Sequence, residues 1–375
     1  MSSGEPALIE HIAETIRREG PVTFAWLMEQ ALYHPEHGYY SSGRCTIGRA
    51  GDYFTSVSVG PLFGQLLAAQ FAEMWQAMGR PRDFAIVEQA AHGGEFACDV
   101  LEAARRNDSE FFRALRYEII EPFPVLKARQ KKMLAAFQDK VSWERSVADL
   151  APFCGAHFSN ELLDAMPIHL VKWTGTEWLE RHVNEHNGAL VFEDLRLSQP
   201  ALAERLRKVA IPLPPDYESE VSLATASWIE TLSRKLIEGF VLTVDYGFSR
   251  DEYYSPHRAR GTLRGYAKHE MVRSPLAQIG RADITAHVEW TTLAECAETC
   301  GLVVAGFTDQ HHLITGLLAS ETGRELVSSS DAKTKRALQT LLHPELLGRK
   351  FQCLILAKQI AQPSQLSGLR FPQKL

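Results

Sequence analysis

The six cysteines, at positions 45, 98, 154, 296, 300 and 353, include no Cys-x-x-Cys pair, and no histidine stands beside them at zinc-finger spacing. A structural metal module is therefore excluded, no metal is expected, and the thiols read as reduced core residues. Positive charge is not in excess: 40 Lys and Arg against 46 Asp and Glu leave a formal net charge of -6. That argues against a surface that tracks phosphates, and so against nucleic acid as substrate. No apolar run reaches the length that spans a bilayer, and Met1-Ser2-Ser3-Gly4-Glu5 lacks the basic and apolar regions of a signal peptide. A cytoplasmic protein without membrane insertion is expected. Short-period repeats and a Ser/Gly/Pro-rich linker are missing too, so the 375 residues form one large decorated domain or two closely packed ones.

Residues 1–80 read as helical. Ala7 to Glu19 is amphipathic, Thr23 opens a second helix, and Pro61 to Trp75 forms a third, with a Gly-rich aromatic loop before the third. From Asp83 the rhythm changes to strand, helix, strand, helix. Phe84–Glu88 and Tyr117–Glu121 are short apolar runs that end in an acid, followed by helical stretches at Glu95 to Arg106 and Pro124 to Phe137. Val141–Trp143 and Ala156–Asn160 continue the alternation, which breaks at 165–236 into a Trp-rich hairpin around Trp173 to Trp178 and a helical segment near Pro212 to Pro215. It resumes at Phe240–Gly247, with a helix at Thr291 to Thr299 and strands at Leu302 to Phe307 and Phe351 to Ala357. This predicts an α/β Rossmann-like fold with a mostly parallel sheet of about seven strands and helices on both faces. The linear division is a helical N-terminal region with a covering loop (1–80), a first core half (81–164), an inserted α+β region (165–236), a second core half (237–360) and a frayed tail (361–375).

Ligands of an open parallel sheet bind beyond the carboxyl ends of the strands. The polar residues there are Glu88, Glu121, Asn160 and Asp245. Glu121 suits a ribose, because a carboxylate accepts hydrogen bonds from vicinal hydroxyls and repels a 2'-phosphate. Glu88 begins the turn Gln89-Ala90-Ala91-His92-Gly93-Gly94, whose glycines permit close backbone approach. Asn160 can cap a helical turn on which Glu161 and Asp164 share a face at the mouth of the sheet; the same residues also fit a plain capping pattern.

Tyr33–Tyr40, Gly51–Thr55, Pro61–Gly64, Asn160–Pro167, Val244–Gly247, Gly261–Arg264 and Asp283–Val288 form an ordered series of motifs between about residues 20 and 320. In that order they resemble the motifs of the MidA family of protein arginine methyltransferases and respiratory complex I assembly factors. The resemblance implies a class I methyltransferase fold, S-adenosylmethionine as cofactor, and an arginine of a partner protein, such as a respiratory-complex subunit, as acceptor. It makes Asp52, Thr55, Glu88, His92, Gly93, Gly94, Glu121 and Asn160 cofactor-binding residues. Glu161 and Asp164 then hold the guanidinium, with Asp245 in support. One departure stands out: where the family has a Gly-x-Gly-x-Gly turn, this chain has Ala90-Ala91-His92-Gly93-Gly94 and keeps only the last of the three glycines. That leaves two rivals, a non-catalytic scaffold of the same fold and a small-molecule methyltransferase.

Overall fold

In the computed structural model, which describes residues 4–43, 56–209, 212–267, 270–328 and 331–375, the chain falls into two compact units. One comprises Met1–Tyr53, Leu163–Ser227 and Phe248–Thr291; the other comprises Phe54–Leu162, Trp228–Gly247 and Thr292–Leu375. The described residues of 56–80 thus lie in the second unit and those of 248–291 in the first, so the units interleave along the chain where the linear division is consecutive.

The second unit is built on a continuous path of seven strands. Numbered along the chain, they are β1 (Phe84–Gln89), β2 (Leu115–Ile120), β3 (Val141–Glu144), β4 (Phe153–Asn160), β5 (Leu236–Phe248), β6 (Val303–Asp309) and β7 (Phe351–Lys358). Their order is β3-β2-β1-β4-β5-β7-β6. The first five are parallel, and β7 is antiparallel to both β5 and β6. This is the mostly parallel sheet expected. Phe84, Ala85, Ile86 and Val87 are all buried, the unbroken apolar run of a strand covered on both faces rather than the alternation of one half in water. The chain steps outward from β1 to β2 and β3, then returns to lay β4 on the other side of β1. The order therefore reverses between β1 and β4, the kind of switch point at whose carboxyl end open parallel sheets bind ligands.

Helices α1 (Leu62–Ala77), α2 (Glu95–Asn107) and α3 (Pro124–Met133) belong to the same unit. Leu66, Leu67, Phe71 and Met74 of α1 share one core with Phe96 of α2, which stacks on Phe158 of β4 with ring centroids 4.3 Å apart. Each such side chain contributes about 1.5–3 kcal/mol by leaving water, and this anchors the strand ends that α2 and β4 carry. The last segment does not fray: Leu366 and Leu369 are buried. Ser367 N donates to Glu73 Oε2 at 2.8 Å and Gly368 N to Gln70 Oε1 at 3.0 Å.

The first unit holds helices Pro6–Glu19 and Phe24–Tyr33, the latter capped by Thr23, whose hydroxyl accepts from Trp26 N. It also holds two small antiparallel sheets. The larger contains the expected hairpin, His169–Trp173 against Trp178–His186. The segment at 212–215 is irregular rather than helical. Helices flank it instead, at Pro200–Leu206, where a proline in the first turn costs no hydrogen bond, and at Ala224–Lys235. Among the described residues no helix is long and apolar enough to cross a membrane.

Candidate functional site

β1 delivers Glu88 to the carboxyl edge of the sheet. The side chain is buried, and the Tyr117 hydroxyl of β2 donates to its Oε2 at 2.7 Å. Burial outweighs that bond and, with Glu95 nearby, pushes the carboxyl up to about 8. The turn that follows has a regular backbone rhythm. Ala90, His92 and Gly94 have φ of +66°, +44° and +89°, and Gly94 N closes the turn on Ala91 O at 2.8 Å. Every position where the related motif has glycine is therefore left-handed here, although two of the three carry side chains. An L-residue held there costs about 1–2 kcal/mol, strain that persists only where the surroundings impose it.

β2 delivers Glu121. Its Oε1 accepts from Phe123 N at 2.9 Å and its Oε2 from Gln130 Nε2 at 2.8 Å. Burial pushes this carboxyl up to about 7 against both bonds. A carboxylate oxygen has two lone pairs, so each keeps one for a further donor, and two donors on adjacent carbons match that pair. Gln130 was not foreseen from the sequence. It is a fully buried amide on α3 that also donates to His92 O at 2.9 Å and accepts from Trp143 Nε1 at 3.0 Å.

β4 ends on Asn160, whose Nδ2 donates to Glu161 Oε1 at 2.9 Å, while its buried Oδ1 has no hydrogen-bond partner among the described residues. Glu161 then turns left-handed, with φ +54°, and its N donates to Val244 O at 3.0 Å. Asp245 of β5 is completely buried. It accepts from Leu162 N at 3.1 Å through Oδ2 and from Tyr246 N at 2.8 Å through Oδ1. These contacts replace the expected helical turn: residues 161–166 are irregular, with a turn at 164–165, because Glu161 leaves the helical region and Asp245 takes the Leu162 amide. Glu161 and Asp164 consequently do not share a helix face.

The structure thus brings Glu88, His92, Gly93, Gly94, Glu121, Asn160, Glu161 and Asp245 into one unit, on strand ends or the turns just beyond them. Asp164 falls in the other unit, buried, with its carbonyl accepting from Ala286 N at 2.9 Å. Asp52 and Thr55 lie outside the described residues.

Three of the motifs, Tyr33–Tyr40, Gly261–Arg264 and Asp283–Val288, make contacts within the first unit. Tyr33 and Tyr40 stack at 5.5 Å; Tyr33 donates to Ala165 O at 2.9 Å and Tyr40 to Asp283 Oδ1 at 2.7 Å. Glu220, buried, accepts from Thr262 N at 2.8 Å, Leu263 N at 2.9 Å and the Tyr253 hydroxyl at 3.1 Å. The Thr262 hydroxyl in turn accepts from His287 N at 3.0 Å. Burial, with Arg264 and Arg258 nearby, pushes the His287 ring down to about 4. Glu220 carried no signal in the sequence, since nothing around it marks an acid that will be buried by a distant loop.

A model of a family of S-adenosyl-L-methionine-dependent methyltransferases matches residues 66–308. The chain is 25% identical to protein arginine methyltransferase NDUFAF7 homolog of Drosophila melanogaster, over 94% of this chain and 85% of that protein. It is also 25% identical to human protein arginine methyltransferase NDUFAF7, over 93% and 84%. Among solved structures, a Burkholderia thailandensis protein bound to S-adenosyl-homocysteine superposes with a TM-score of 0.89 at 28% identity, covering 99% of this chain and 96% of that one. The expectation of a cytoplasmic protein is corrected by these relatives, since the curated ones are named as mitochondrial.

Proposed function

The chain belongs to the MidA-like family of S-adenosyl-L-methionine-dependent methyltransferases, and from that premise we propose that it methylates an arginine of a partner protein. The observation that carries the cofactor assignment is Glu121: both carboxylate oxygens are fixed by internal donors, and each retains one lone pair for a ribose hydroxyl. The left-handed rhythm at Ala90, His92 and Gly94 supports it, because the turn keeps its course without two of its glycines. For the same reason the scaffold alternative loses its main argument.

When bound, S-adenosylmethionine would supply its methyl group to a guanidinium nitrogen by in-line displacement, the S–C bond breaking to leave neutral S-adenosyl-homocysteine and the methylated nitrogen giving up a proton to the Glu161 carboxylate. Glu121 would hold the ribose diol, while Glu88 and the turn through Gly93 and Gly94 would flank the amino-acid part. A positive charge beside Glu88 favours its ionised form and opposes the burial that protonates it. The acceptor guanidinium is permanently charged and forked. Asn160 Oδ1 and the Glu161 carboxylate are the acceptors that orient it, and Asp245 positions their corner by holding the Leu162 and Tyr246 amides. The names of the curated relatives favour arginine as the acceptor. The family resemblance puts a respiratory-complex subunit first among partner proteins.

Incubating the protein with methyl-labelled S-adenosylmethionine and a lysate of its own organism, then mapping the label, tests the proposal. The label is expected on an arginine of a protein and should be lost with Glu161→Gln. Label recovered only in small molecules would overturn the acceptor assignment.

A further inference from the structure

One buried amide joins the two corners that the cofactor reading uses. We propose that Gln130 is a positioning residue for the adenosine part of the cofactor. By tying the His92 carbonyl to the Glu121 carboxylate, it sets the separation between the turn after β1 and the acid after β2. The inference rests on the assignment of Glu121 to the ribose.

The amide of Gln130 has two N–H donors and one carbonyl, and every one of them is committed. Nε2 donates to Glu121 Oε2 at 2.8 Å and to His92 O at 2.9 Å, and Oε1 accepts from Trp143 Nε1 at 3.0 Å. An indole nitrogen only donates, so Trp143, on β3, fixes which way the amide points. A flipped amide would set its N–H group against the indole N–H and its oxygen against a carboxylate and a carbonyl. Three elements of the second unit therefore converge on a side chain with no exposure to solvent. The turn lies directly against α3 here: a Cβ built on Gly94 would be in ordinary van der Waals contact with Gln130 Cα, at 3.4 Å.

The consequences differ from those of a residue that only fills space. The Gln130 bond holds one Glu121 oxygen in place and leaves the other lone pairs aimed where the bond to Phe123 N directs them. It also stabilises the ionised form of an acid that burial pushes up to about 7. Removing it frees the carboxylate to rotate and makes it harder to ionise. A neighbour that acted only through packing would do neither.

The test is calorimetric titration of the full chain with S-adenosyl-homocysteine and with 5'-methylthioadenosine, which keeps the adenosine but lacks the amino-acid part. It is repeated from about pH 6 to 9 on wild type, Gln130→Met, Trp143→Phe and Glu121→Ala. Gln130→Met is expected to weaken both ligands by a similar factor, about tenfold or more, and to move the pH midpoint of binding upward. Trp143→Phe, which leaves the amide free to flip, should shift both quantities the same way by less. It decides the matter if Gln130→Met does not fold. Unchanged affinity and an unchanged midpoint in folded variants, with Glu121→Ala still impaired, would overturn the role of Gln130 alone. Wild-type binding that Glu121→Ala leaves intact would instead bring down the ribose assignment, and this inference with it.

Discussion

The hydroxyl of Tyr117 donates to Glu88 Oε2 at 2.7 Å, and both side chains are buried. Burial holds the Glu88 carboxyl at about 8, against 4.5 for an exposed glutamate, so the folded protein binds this proton more tightly than the unfolded chain. Its contribution to stability is full below about pH 4.5 and is lost as pH rises through about 8. Glu121 and Asp99, each pushed up to about 7 chiefly by burial, act in the same direction. His157 acts oppositely: both ring nitrogens are buried without a hydrogen-bond partner among the described residues, and burial pushes the ring down to about 3. Its contribution is lost as pH falls from about 6.5 toward 3. Thermal scans at stepped pH should show the midpoint falling between about pH 6.5 and 8, less steeply in Glu88→Gln, while His157→Phe gains most at acid pH. A slope unaltered in Glu88→Gln would contradict this account of the carboxyl.

Ala90 and His92 carry the strain of a turn that glycine would adopt freely. Replacing Ala90 by glycine removes a Cβ from a left-handed position with φ +66°. A net stabilisation of about 1 kcal/mol follows, because the relief of strain exceeds the extra freedom given to the unfolded chain. Denaturant unfolding measures it. A destabilised Ala90→Gly protein would mean that the Ala90 side chain makes contacts worth more than the strain.

Glu220 and Gly261 form a lock within the first unit. Gly261 is left-handed, with φ +65°, and a Cβ on it would run into the Glu220 carboxylate. Truncating Glu220 to alanine leaves the Thr262 and Leu263 amides and the Tyr253 hydroxyl without their shared acceptor, at a cost of roughly 3 kcal/mol or more. Gly261→Ala should also destabilise, by about 2 kcal/mol. Chemical denaturation showing either variant within about 0.5 kcal/mol of wild type would rule out the lock.

The sheet was legible in the sequence because its strands are short apolar runs alternating with helical stretches, and the edge rule then pointed at the polar residues that close them, Glu88, Glu121, Asn160 and Asp245. Local pattern failed where a distant partner decides. Glu161 goes left-handed and Asp245 captures the Leu162 amide, so Asn160–Pro167 is no helix despite its capping residues. Gln130 stands among Lys127, Lys131 and Lys132 with nothing in its neighbourhood to mark it, and only Trp143, His92 and Glu121 make it a hub. The tail read as frayed from its polar start, but Leu366 and Leu369 find a buried place beside α1. The altered glycine turn suggested a changed loop, whereas the backbone kept the left-handed positions and imposed them on Ala90 and His92.

Titrating the wild-type chain and Glu121→Ala with S-adenosyl-homocysteine at about pH 8, where the carboxyl is ionised, tests the site most directly. The account predicts saturable one-site binding to wild type, weakened at least about tenfold, or 1.4 kcal/mol, by the substitution. Equal affinity in two folded proteins would contradict it.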